Sequence, residues 1–366
     1  MARPRWNLRR SSLIALTAAI TAVAIWTLWA EQHPQDDRRL RVLVHDQLDD
    51  WFPDLMAPDD GWHGLHRQAT GDTDALEVVL IHGLDEPGGI WDDLLPALGA
   101  AGYAVWEFRY PNDQGVDRSA KYLAKHWPTL DPSRPVALIG HSMGGLVARE
   151  FVSRWRHPVD TPPLVEGAPI AGVVLAGTPN HGSEWARLRI WLELRDQFAS
   201  PSERRFSLFA ALRDGAGEAK IDLRPGSDFL RTLNARPWPE SVPVLLIAAQ
   251  LLPRKDSLSA GLDAASAEVG SEQLGDHLHD WWSSLGTQVG DGVVSLESLR
   301  LTDMPSPVIV EASHRGMLHR LFPGDPEPPA IAPILAALRQ WNDTVADRTA
   351  YPVARSDRHA ARNPSL

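Results

Sequence analysis

Six short stretches of aliphatic and β-branched residues constrain this 366-residue chain more than any other feature. They are "ALEVVLIHG" (75–83), "YAVWEFRYP" (103–111), "PVALIGHS" (135–142), "IAGVVLAGTP" (170–179), "VPVLLIAAQ" (242–250) and "SPVIVEA" (306–312). The first is a near-continuous β-branched and aliphatic run, as expected of a strand buried on both faces. Between them lie helical patterns: "WDDLLPALGAAG" closed by Gly102, residues 117–127, "MGGLVAREFVSRWR" (143–156) and a final helix over 331–343. Strands alternating with helices predict an α/β fold with a mostly parallel sheet covered on both faces.

The remaining segments set the domain plan. One large domain is expected over 73–348, interrupted by long insertions at about 183–241 and 251–290. The first insertion carries two amphipathic helical stretches, a reading that fits a lid or cap as well as helices packed on the sheet edge. Residues 31–72 read as a polar, loop-like extension in which "LRVLVHDQL" suits a short helix or strand. Residues 349–366 read as a flexible tail.

The N-terminus has its own logic. Arg3, Arg5, Arg9 and Arg10 precede "SSLIALTAAITAVAIWTLWA", twenty residues without a charge. As a helix this run would rise about 30 Å, the thickness of a hydrocarbon core. Arginines ahead of it keep the N-terminus cytoplasmic, so residues 1–30 are expected to anchor the chain in the inner membrane with its body on the extracytoplasmic side. Cleavage at Ala22-Val23-Ala24 would instead release a secreted or periplasmic protein. The formal charge of −11 argues against nucleic acid as a partner. Cysteine is absent, which removes disulfides, thiolate metal sites and a cysteine nucleophile.

The chemistry centres on "ALIGHSMGGLVARE", where a buried strand runs through Gly140-His141-Ser142-Met143-Gly144 into a helix. A serine on so sharp a turn is forced into strained backbone angles, and side chains two positions to either side would collide with the neighbouring elements. Gly140 and Gly144 occupy those positions. The hydroxyl of Ser142 needs a base, and the base needs an orienting acid, each expected at the carboxyl end of a later strand. His314 follows the strand 306–312, with His319 as its competitor. Asp291, bracketed by Gly290 and Gly292, is the favoured acid, ahead of Asp256, Asp276, Asp280, Glu297 and Glu311. Oxyanion donors are expected from the backbone N–H groups of Met143 and Leu84. His82 reads as a packing residue that props the loop bearing Leu84.

These motifs, "HGL", "GHSMGG", "LAGTPNHGSEWA" and "GDGVVSLESL…ASHRGMLH", resemble in order and spacing the α/β-hydrolase superfamily over about residues 75–345. The likeness is to bacterial triacylglycerol lipases and inositol-deacylase-like esterases in particular. It implies an α/β-hydrolase fold with a lid, a Ser142–Asp291–His314 triad, an oxyanion hole at Leu84 and Met143, and carboxylic ester hydrolysis without a cofactor. Secreted lipases of this kind often hold calcium through an aspartate close after the histidine. The residues around Gly316 offer none, and no metal is expected. Two other functions use the same scaffold: a non-catalytic binding protein at the membrane, and an acyltransferase working through the same triad. The expected partners are an ester or lipid substrate and the membrane.

Overall fold

The computed structural model describes residues 14, 17, 21–22, 25–26, 28–56, 61–72, 76–84, 89–183, 217–251, 290–322 and 324–350. Its centre is a seven-stranded sheet of order β1-β3-β2-β4-β5-β6-β7. The strands are β1 (Gly64–Ala69), β2 (Glu77–Ile81), β3 (Ala104–Arg109), β4 (Val136–His141), β5 (Ile170–Ala176), β6 (Val244–Gln250) and β7 (Val308–Glu311). All neighbours pair in parallel except β1, which runs antiparallel to β3. The six apolar runs therefore became the six parallel strands.

Two-sided burial explains why the runs of the central strands β2 and β4 lack polar alternation. Val79, Ile81 and Leu138 point into one apolar layer, while Val78, Leu80 and Ile139 point into the other. Each such side chain contributes roughly 1.5–3 kcal/mol when fully buried.

The helices in chain order are α1 (Pro34–Trp51), α2 (Pro53–Met56), α3 (Leu94–Ala100), α4 (Val116–His126), α5 (Met143–Glu150), α6 (Glu218–Asp222), α7 (Asp228–Asn234), α8 (Leu296–Leu299) and α9 (Ile331–Ala350). The first layer is closed by α4, α5 and α7, the second by α3 and α9. Trp341 of α9 lies on β5 at Gly172, where a Cβ would come within 2.5 Å of its indole. Helix α5 continues into a wider π turn over Phe151–Arg156, closed by the His157 N–H donating to Val152 O. A single regular helix over 143–156 was expected.

The reading of 31–72 as a loop-like extension is corrected. Residues 34–51 are helical, and Gly64–Ala69 is an edge strand of the same sheet, so the sheet starts ahead of residue 73. Charge drives the docking of α1. Arg38 reaches over to the fully buried Asp222 of α6 (Nε to Oδ1, 2.6 Å) and to Asp117 of α4 (2.9 Å), and Arg41 bonds the buried Asp37 one turn back. His45 lies 3.6 Å from the buried Glu218, and Arg118 of α4 meets Asp46 and Asp49. Burial pushes the Asp222 carboxyl up to about 6 in spite of Arg38.

Several expectations fall on other parts of the chain. Most of the apolar run 11–30, the central part of the first insertion (184–216), most of the second (252–289) and the tail from 351 lie outside the described residues. Asp256, Asp276 and Asp280 are among them. Among the described residues no helix is long and apolar enough to cross a membrane.

Candidate active site

Ser142 sits between the end of β4 and the first residue of α5 with φ 53° and ψ −125°, and it alone among the described non-glycine residues has a positive φ. Such a conformation costs of order 1–3 kcal/mol and persists only where the surroundings enforce it. The enforcement is visible. The Ser142 N–H donates to Ala176 O at 2.9 Å, carrying the β4–β5 ladder one residue past the strand, and Ser142 O accepts from Gly145 N–H at 3.1 Å. A Cβ on Gly140 would lie 2.5 Å from Gly145 N. One on Gly144 would overlap the Ile81 carbonyl oxygen and come 2.5 Å from that of His82. Both glycines are thus required by close backbone approach, the reason inferred from the motif.

Asp291 and His314 are joined directly. Asp291 Oδ2 accepts from His314 Nδ1 at 2.7 Å, and the His314 backbone N–H donates to Asp291 O at 3.0 Å. The second carboxylate oxygen, Oδ1, accepts from the Val293 and Val294 N–H groups at 2.8 and 2.7 Å. With 1% of its side chain exposed, Asp291 has a single orientation, set by three donors. The carboxylate is an acceptor only, so it holds the imidazole proton on Nδ1 and leaves Nε2 as the basic nitrogen.

The Ser142 amide and the His314 ring both lie against the end of β5. Gly177 follows Ala176, the acceptor of the Ser142 N–H, and a Cβ on Gly177 would come 3.1 Å from His314 Cε1. His141, next to the serine and fully buried, closes the group: its Nε2 lies 3.0 Å from His314 O, and the two rings are 4.7 Å apart. The competitor His319 is placed elsewhere, 3.4 Å from Asp93, whose carboxylate also takes the N–H and guanidinium of Arg320. Glu297 and Glu311 are exposed.

Met143 lies just beyond β4, and His82 and Leu84 lie just beyond β2. Met143 opens α5, where the backbone N–H has no intrahelical acceptor. Leu84 lies three residues beyond the end of β2 and is buried. His82 props that loop as inferred: its ring stacks on Tyr110 at 4.5 Å, its Nδ1 meets Gly83 O, and Tyr110 donates to His82 O. Sequence reasoning missed His141, Gly177 and a buried brace in which Arg149 donates to Asn180 Oδ1 and Asn180 Nδ2 to Leu299 O. Burial brings the Arg149 guanidinium down to about 9, still cationic at neutral pH. A cavity of about 1410 Å³ opens beside the acid loop at Val293, Arg300, Met304 and Ile309, and neither Ser142 nor His314 lines it. Among the described residues no three His, Asp or Glu side chains gather as a metal site.

Residues 78–283, more than half of the sequence, match the model of a known family, the alpha/beta hydrolase family. The chain belongs to the α/β hydrolase family. Within it, 93 residues are 36% identical to "Phospholipase YtpA" of Bacillus subtilis (strain 168), covering 22% of this chain and 36% of that protein. The match thus spans about a third of that relative. Among solved structures, the mature lipase BlEst2 of Bacillus licheniformis superposes at a TM-score of 0.45 with 16% identity, covering 74% of this hydrolase and 97% of that chain. The metagenomic carboxyl esterase MGS0156 gives 0.45 and 18%, with 76% of each chain covered.

Proposed function

We propose that this α/β hydrolase is a serine carboxylic ester hydrolase, with Ser142 as nucleophile, His314 as base and Asp291 as orienting acid. The observation that carries the reading is the Asp291–His314 pair at the end of β5, where the strained Ser142 is also tied. A serine hydroxyl attacks a carbonyl only if its proton leaves as the bond forms. His314 Nε2 takes that proton, and Asp291 stabilises the imidazolium without becoming protonated. The carbonyl oxygen becomes an oxyanion held by the Met143 and Leu84 N–H groups, each worth about 10²–10³ in rate. Collapse expels the alcohol, protonated by His314, and leaves an acyl group on Ser142 Oγ. Water, deprotonated by the same histidine, then releases the acid. The partial match to a phospholipase accords with an ester or lipid substrate. Residues 1–30 anchor the enzyme in the membrane in this reading, with the hydrolase body on the extracytoplasmic side.

The test pairs a fluorophosphonate probe with a chain-length series of p-nitrophenyl esters, run on wild type, Ser142→Ala and His319→Gln. Wild type and His319→Gln should label and turn over alike, while Ser142→Ala does neither. Equal turnover by wild type and Ser142→Ala refutes the assignment. Probe labelling without hydrolysis, but with transfer to added alcohols, would replace it with acyl transfer.

A further inference from the structure

Helix α1 is built inside out. At 100° per residue, Leu40, Leu43, Val44, Gln47 and Trp51 fall within about 100° of arc, with only Asp36 at the helix start charged among them, and Arg38, Arg41, His45 and Asp49 lie opposite. In a helix packed on a soluble body the apolar stripe turns inward. Here the charged side is docked through the Arg38–Asp222, Arg38–Asp117 and His45–Glu218 contacts. The apolar stripe faces out, with Leu43 64%, Val44 46% and Trp51 67% exposed. A stripe of that kind, left in water, invites a covering surface.

The chain itself indicates which surface. The uncharged run 11–30 leads straight into α1: residues 28–32 are helical, only His33 intervenes, and its N–H donates to Trp29 O at 2.8 Å. At this junction Trp29 stacks on His33, with centroids 5.6 Å apart, and Trp26 tilts against Trp29 at 5.3 Å. Tryptophans gather where a helix leaves the hydrocarbon and enters the headgroups. The apolar face of α1 therefore begins at the depth where a membrane segment would end, and the exposed Arg39 and Asp50 flank it as headgroup-facing charges.

We propose that α1 lies on the phospholipid bilayer with Leu40, Leu43, Val44 and Trp51 in the interface, and that its charged inner face holds the hydrolase body at a fixed orientation to the lipid. This rests on the reading of residues 11–30 as a membrane segment. Because the chain has no cysteine, single labels can be placed without background. Full-length protein carrying nitrobenzoxadiazole at Leu43→Cys, Trp51→Cys, Ile20→Cys or Lys121→Cys is reconstituted into phosphatidylcholine–phosphatidylglycerol nanodiscs, with or without doxyl lipid. Labels at 43 and 51 should emit to the blue and be quenched roughly twofold by a doxyl placed about 5–10 Å deep. The label at 121 on α4 should stay water-like and unquenched. Quenching at 20 but not at 43 and 51 overturns the proposal and leaves the membrane segment standing. No quenching at 20 overturns both. Blue emission at 43 and 51 that ignores the doxyl lipid assigns the stripe to a second copy of the chain, and likewise overturns the proposal.

Discussion

Replacing Asp291 by asparagine isolates the role of the acid from its place in the fold. The carboxylate accepts two backbone N–H groups on Oδ1 and the His314 Nδ1–H on Oδ2. In Asp291→Asn the amide oxygen keeps the Val293 and Val294 donors, which turns the NH₂ toward His314. An N–H facing Nδ1 makes that nitrogen the acceptor, so the ring proton moves to Nε2. The imidazole then offers Ser142 a donor where the reaction needs an acceptor. Every buried polar group remains paired, so unfolding should cost only about 1–2 kcal/mol less than in wild type. The rate should suffer far more: the wrong tautomer in a comparable triad costs about 10⁴-fold, or about 5.5 kcal/mol of activation free energy. Steady-state hydrolysis of p-nitrophenyl butyrate should show kcat reduced by that factor with KM nearly unchanged, beside a urea unfolding curve close to wild type. A variant that keeps kcat within about tenfold while unfolding normally would show that His314 takes its orientation from another group.

Two further substitutions probe the scaffold. Arg38→Met leaves the fully buried Asp222 without its cation and should destabilise the protein by about 3–5 kcal/mol. Burial already raises the folded carboxyl to about 6 from 3.8, so the folded state holds this proton more firmly than the unfolded chain, and the group's contribution falls as pH rises through 6. Losing Arg38 pushes the carboxyl higher still. Denaturant unfolding should therefore show a larger deficit at pH 8 than at pH 5, and equal deficits would contradict the assignment. Gly144→Ala drives a methyl group into the Ile81 carbonyl oxygen, between two backbones that cannot both yield. A loss above about 4 kcal/mol is expected, and a wild-type unfolding midpoint would mean that α5 does not rest on β2 as described.

The centre of the parallel sheet was legible because burial on both faces leaves its mark on every residue of strands such as β2 and β4. Strand β1 left no such mark: "GLHRQA" lies at the sheet edge, is partly exposed and carries three polar residues in a row. Helix α1 was ambiguous for a different reason. Its apolar side faces outward, so the pattern around "LRVLVHDQL" described a surface that the hydrolase body does not cover. At the site, Ser142 could be read from its glycines, because close backbone approach permits no other residue there. The pairing of Asp291 with His314 rather than with the glutamates was expected only from loop position, and the bond itself depends on how β6 and β7 align. Asp93, which holds His319, lies 226 positions away in the chain and carried no local signal.

The end of β5 has a mechanical consequence. The amide of Ser142 is bonded to Ala176, and the ring of His314 rests against Gly177, so two groups 172 positions apart take their coordinates from adjacent residues of one strand. When thermal motion flexes or twists the sheet, hydroxyl and imidazole ride on the same support and travel together. In the proposed mechanism, the path of the proton from serine to histidine would thus be buffered against breathing of the molecule.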